Sequence, residues 1–132
     1  MSTFKNVDEA REFFKGDKFA LNSGVIIEEL GENYCLCSME ITDNHRNALG
    51  GVMGGAIFTL ADLAFSAACT NVHNPTVAMQ TSMNFLSAAK GVKLFARSKC
   101  VKDGKTTAVY NVDVTDDTGR LVAQFVGTGY KL

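Results

Sequence analysis

Apolar residues change their spacing several times along this chain, and each change predicts an element. Near the N-terminus, Val7, Ala10, Phe13 and Phe14 recur at helical spacing. Asn6 precedes them as an N-cap and Glu9 stands three residues later, a capping-box arrangement. The spacing then falls to two. Residues 24–30 and 33–41 predict two strands joined at Gly31 and Glu32. In the second strand Cys35, Cys37, Met39 and Ile41 alternate with Tyr34, Leu36, Ser38 and Glu40. A polar loop, 43–47, leads to four glycines and the run GGVMGGAIFTLADLAFSAACT, in which Asp62 is the only charged side chain.

Four more strands are predicted after that run. Val77, Met79, Thr81, Met83 and Phe85 share one face of the first. In the next, Lys93, Arg97 and Lys99 lie opposite Val92, Leu94, Ala96 and Cys100. Asp103-Gly104 is a hairpin turn into 106–115, and Asp117-Thr118-Gly119 turns the chain into 121–130. The long run is apolar nearly all round, so as a helix it must be buried on most sides. A single antiparallel sheet curled around it meets that need. The parts list, six antiparallel strands wrapped around one long central helix, resembles the α+β hotdog fold, with residues 1–132 as one domain.

Successive residues 100° apart place Ile57, Leu60, Ala61, Ala64, Phe65 and Ala68 on one arc, which predicts the sheet-facing side. Asp62 falls on the other side, flanked by Thr59 and Ser66. One sheet covers one side of a helix, so the polar strip predicts a second copy of the chain, a ligand, or both. An acid in an apolar cleft has a raised pKa, a property of general bases; the same carboxylate could instead be bonded across an interface or solvated. Gly54 and Gly55 fall where the helix starts. There the first amides have no internal partners, and an oxygen can approach closely for want of side chains, as an oxyanion site requires; glycines also start helices for tight packing alone.

Composition narrows the field. The 132 residues suit one domain, and 13 basic against 14 acidic side chains give a net charge of −1. That leaves no basic surplus for a nucleic-acid partner. Cys35, Cys37, Cys69 and Cys100 form no C-x-x-C pair and, with two histidines, predict reduced core residues and no metal site. The N-terminal segment has no apolar stretch of a secretory signal, and the expected location is the cytoplasm. Residues 52–69 have the length of a short membrane span, but Asp62 at their centre would cost roughly 3 kcal/mol and flanking cations are missing, so no membrane is expected.

The segment HRNALGGVMGGAIFTLAD, from His45 to Asp62, is similar to the signature of the PaaI-like acyl-coenzyme A thioesterases, a hotdog family. That signature runs His-x-Asn, two residues, Gly, two residues, His-Gly-Gly, then an acid eight residues after the first Gly of the pair. His45, Asn47, Gly50, Gly54, Gly55 and Asp62 occupy its places without a gap. The resemblance implies Asp62 as general base or nucleophile, the Gly54 N–H as polariser of the thioester carbonyl, and Asn47 as orienter of water or acyl group. It further implies substrate contacts from His45, Gly55, Met53, Thr59, Ser66, Gln80 and Ser82. No cofactor is implied, coenzyme A being part of the substrate. The expected assembly is a homodimer with composite sites, paired again into a tetramer.

Two departures bear on these expectations. Met53 stands where the family has His before the glycine pair. Some relatives place Ser or Thr on the strand after the helix; Ala78 aligns there, with Gln80 and Ser82 as polar neighbours. Lys93, Arg97, Lys99 and Lys105 are candidates for the coenzyme A phosphates, yet their pattern is also that of a solvated sheet face. Two competing functions remain at this point: a non-catalytic acyl-coenzyme A module, and an enoyl-coenzyme A hydratase built on Asp43 and His45, whose surrounding motif is absent.

Overall fold

The computed structural model describes residues 2–132. Helix α1 (Val7–Phe14) and a second short helix, α2 (Lys18–Asn22), precede strands β1 (Ile26–Gly31) and β2 (Tyr34–Glu40). A turn of 3-10 helix at Asp43–His45 leads to the long helix α3 (Gly54–Val72). Strands β3 (Thr76–Phe85), β4 (Lys93–Asp103), β5 (Thr107–Asp116) and β6 (Leu121–Lys131) complete the chain. All six strands form one antiparallel sheet in the order β1-β2-β4-β5-β6-β3, curled about α3. This is the hotdog arrangement expected from the sequence.

At α1, Asn6 accepts the Glu9 N–H at 3.0 Å, and the Glu9 carboxylate reaches back to the Lys5 N–H at 3.0 Å. Every residue of the arc inferred for α3 is buried, from Ile57 to Ala68. Against it lie Cys35, Cys37 and Met39 of β2, Leu94 and Ala96 of β4, Tyr110 and Val112 of β5, and Phe125 of β6. Ser98 is the polar residue on this face: its hydroxyl donates to the Ala64 carbonyl at 2.9 Å, tying β4 to the helix. In β6 the residues facing α3 include Gly127 and Gly129. A Cβ at Gly127 would lie 3.0 Å from the Phe65 ring, so the missing side chain is what lets the aromatic row of α3 sit against the strand. By length and composition α3 could cross a membrane, but 61% of it is buried within the fold, its apolar surface already spent on the sheet. The four cysteines are unpaired, three of them buried.

The structure corrects three expectations. Helix α2 has no counterpart in the pattern, because five residues span little more than one turn and Phe19, its largest side chain, is 76% exposed. The first strand begins at Ile26, not at 24, since Gly24 takes a positive φ of 89° in the preceding turn. The third concerns β3. A bulge between Ala78 and Gln80 adds one residue to that strand and reverses its alternation. Thr81, Met83 and Phe85 pair with Gly127, Phe125 and Ala123 on the helix side, whereas Val77 pairs with the exposed Tyr130 on the outer face. The predicted five-residue face is therefore two faces.

Candidate functional site

Asp62 sits midway along α3, half-buried, in the strip that the sheet does not cover. Helix α2 leans over this strip, and the two helices bound a cleft of about 460 Å³ lined by Asp17, Lys18, Phe19, Phe58, Thr59 and Asp62, among others. Burial raises the pKa of Asp62 first, and the negative charge of Asp17 raises it further. Burial also raises Asp17. Thr59 lines the same cleft, but its hydroxyl donates to the Gly55 carbonyl one turn back at 2.8 Å rather than to Asp62. Ser66 continues the half-exposed strip one turn beyond Asp62.

Gly54 belongs to a different cleft, of about 610 Å³, together with Asn47, Leu49, Gly51, Ile57, Phe85 and Leu86. The loop that delivers it is firmly held. The Asn47 side-chain oxygen accepts the N–H groups of Leu49 and Gly51 at 3.0 and 3.1 Å, closing a tight turn around Gly50, whose φ is 85°. His45 is buried, with both ring nitrogens engaged. Nδ1 accepts the Thr42 N–H at 3.0 Å, so the proton is on Nε2, which donates to the Ser23 carbonyl at 2.7 Å. The Met53 N–H in turn donates to the His45 carbonyl at 2.7 Å, and the Met53 carbonyl accepts from Ala56 and Ile57. Among the described residues the N–H groups of Gly54 and Gly55 find no acceptor. Two free amides thus stand at the positive end of a 19-residue helix.

The rim of the Gly54 cleft is apolar and exposed. Leu49 is 95% exposed, Phe85 and Leu86 are each more than half exposed, and so is Met53, the residue before Gly54. A Cβ on Gly54 would lie 3.0 Å from the tip of the Phe85 ring, which therefore packs beside the Gly54 Cα. Gln80 and Ser82 pair with Thr128 and Val126, on the sheet face turned away from α3; Ala78 pairs with Gly129 on the helix side. Lys93, Arg97 and Lys99 also lie on the outer face, where Lys93 stands 3.9 Å from Glu28 and Arg97 donates to the Tyr34 hydroxyl at 3.1 Å.

The structure gathers Asp62 with Thr59, and Asn47 with Gly54, but it does not gather the acid with the amide. Eight residues of helix separate them by about 12 Å along the axis and about 80° around it. A base and a carbonyl polariser must both lie within about 3 Å of neighbouring atoms of one ester group. One chain alone cannot bring these two together. Asp17 and Phe85, each against a member of the pair, were not singled out from the sequence. The Gly16-Asp17 step, a turn residue followed by an N-cap type, was the available sign for the first.

The comparisons give the class of protein to which this hotdog fold belongs. Residues 49–123 match the Thioesterase superfamily. The acyl-coenzyme A thioesterase PaaI of Escherichia coli is 28% identical over 93% of this chain and 89% of its own length. Its structure superposes with a TM-score of 0.88 at 27% identity, covering 93% and 90% of the two chains. Human acyl-coenzyme A thioesterase 13 is 36% identical over 67% of this chain and 66% of its own. A thioesterase protein of Streptococcus pneumoniae solved with coenzyme A has a TM-score of 0.81 at 27% identity, with 89% and 94% covered. The chain belongs to the thioesterase superfamily, in its PaaI-like branch, and is a thioester hydrolase.

Proposed function

We propose that this protein hydrolyses acyl-coenzyme A thioesters at composite sites of a homodimer, each made from the Gly54 amide of one chain and Asp62 of the other. The observation that carries the reading is the separation just described: the half-buried acid and the free amide stand about 12 Å apart on one helix. A second copy supplies the missing half. Two further features favour that copy. Strand β3 is a ten-residue strand at the sheet edge with unpaired main-chain groups on one side, and Leu49, Met53, Phe85 and Leu86 form an exposed apolar rim beside it.

In this reading the thioester carbonyl oxygen accepts a hydrogen bond from the Gly54 N–H, and Asp62 takes a proton from water as the water oxygen attacks the carbonyl carbon. The carbonyl electrons move onto oxygen, then return as the carbon–sulfur bond breaks. The departing thiolate of coenzyme A receives the proton, and the free acid is left. Asn47 and His45 serve by fixing the loop that presents the amide. Met53 does not disturb this role, since the polarising donor is main chain. The apolar rim suits an acyl or aryl group. Supporting the choice of coenzyme A as carrier, the relatives named above include two acyl-coenzyme A thioesterases and a complex with coenzyme A.

The test is thiol release from a panel of acyl-coenzyme A thioesters. The parent protein should release thiol, and Asp62→Asn, still binding the ligand, should lose about 10²-fold or more in kcat. Binding without release by the parent, or an Asp62→Asn variant that turns over normally, contradicts the proposal.

A further inference from the structure

Helix α2 lies over the Asp62 strip, and hydrolysis as set out above makes no use of it. Its N-cap is Asp17, a residue type that ordinarily folds its side chain back onto the first helical amides, a bond worth about 1 kcal/mol. Here the carboxylate makes no capping bond. The helix start is held by main chain alone: the Asp17 carbonyl accepts from Leu21 at 3.0 Å and its N–H donates to Phe14 at 3.0 Å. Asp17 lines the cleft that Asp62 lines, together with Phe19, Phe58 and Leu63.

Asp17 and Asp62 are the two acids that line this cleft. Lys18 is the one cation lining this cleft. From α1, Arg11 donates to the Ile27 carbonyl at 2.8 Å and reaches Asp8, while Lys15 pairs with Glu12 at 2.7 Å. On α3 itself the only other titratable group is Cys69, nearly two turns away, and the sheet covers the opposite side of the helix.

We propose that Asp17 is a positioning residue of the hydrolytic site, the like-charged partner through which α2 governs the proton affinity of Asp62. This rests on Asp62 being the base. Two carboxylates lining one cleft, Asp62 half-buried there, resist ionising together, so the pair retains one proton to a higher pH than a solitary Asp would. The direction agrees with the effect of Asp17 on Asp62 noted above. The consequence for catalysis has two sides: Asp62 becomes ionised, and active, only at higher pH, and once ionised it takes the proton of water more readily.

Asp17→Asn keeps the shape and removes the charge. Two measurements compare it with the parent: kcat/KM against pH by thiol release, and the ¹³C carboxyl titration of Asp62. Both the acidic limb and the Asp62 midpoint should move to lower pH, while Asp17→Glu, which keeps the charge, should stay close to the parent. An Asp17→Asn limb and midpoint coincident with the parent's overturn the proposal. So does a uniform loss of activity at every pH, the mark of a purely structural role. Should the parent fail to hydrolyse thioesters, the general reading falls, and the carboxyl titration still reports whether the two acids are coupled.

Discussion

Gly54→Pro removes one hydrogen atom from the proposed mechanism and little else from the fold. The Gly54 amide has no acceptor among the described residues, so proline breaks no helical bond there. Position N1 is where helices accept proline most readily, and Met53, with φ −64° and ψ 138°, already has the extended conformation that a residue before proline adopts. The new ring carbon would lie near the tip of Phe85, which is 57% exposed and free to swing aside. Gly54→Ala carries the same Cβ and keeps the N–H, so it measures that steric effect separately. Displacing the ring costs of order 0.5–1.5 kcal/mol, less than or about tenfold in rate. The lost donor adds about 2.7–4 kcal/mol in the transition state, or about 10²–10³ in kcat. With both variants folded by circular dichroism, thiol release should therefore fall at least about 10²-fold further in Gly54→Pro than in Gly54→Ala. Rates within a few-fold of each other would refute polarisation by this amide.

Stability predictions come from sites away from the catalytic pair. Gly127→Ala puts a Cβ 2.8 Å from the Phe125 ring and 3.0 Å from Phe65, both fully packed, and should lower the urea midpoint by the equivalent of about 1–3 kcal/mol; an unchanged midpoint would show that the β6–α3 contact is looser than described. For Asp116, burial alone would raise the carboxyl, but the Thr118 hydroxyl and the N–H groups of Lys90, Arg120 and Thr118 outweigh it and hold the pKa at about 2. A depressed folded value stabilises above the unfolded pKa of about 3.9 and is lost as pH falls through the folded one. Urea unfolding should lose on the order of 2 kcal/mol between pH 5 and pH 2 through this group, and Asp116→Asn should flatten that dependence.

Much of the fold is legible in residue spacing because the determinants are local. The two-residue alternation of Cys35 to Ile41, the three-to-four spacing of Ile57 to Ala68 and the glycine pair at the start of α3 each reflect one element and one buried face. The features that escaped are those that depend on a second element. The bulge in β3 changes which side of the sheet Val77 occupies, and no residue type marks it. Helix α2 is too short to show a period and exposes its phenylalanine. The loneliness of Asp62 in an apolar run pointed to a special acid, yet its neighbour Asp17 is 45 positions away in the chain and meets it only through packing. The resemblance implies a substrate contact from His45 and an orienting role for Asn47; the hydrogen bonds that both make within the chain hold the loop, a structural part that spacing does not carry.

The division of each site between two chains can be measured by complementation. Asp62→Asn and Gly54→Pro, each inactive by itself, are denatured together in equal amounts and refolded, or co-expressed with distinct tags. If each site takes its amide from one chain and its acid from another, random assembly leaves one intact combination in four, and about one quarter of the parent's thiol release should return. Mixed assemblies that form, as the tags would show, yet remain inactive would contradict the account.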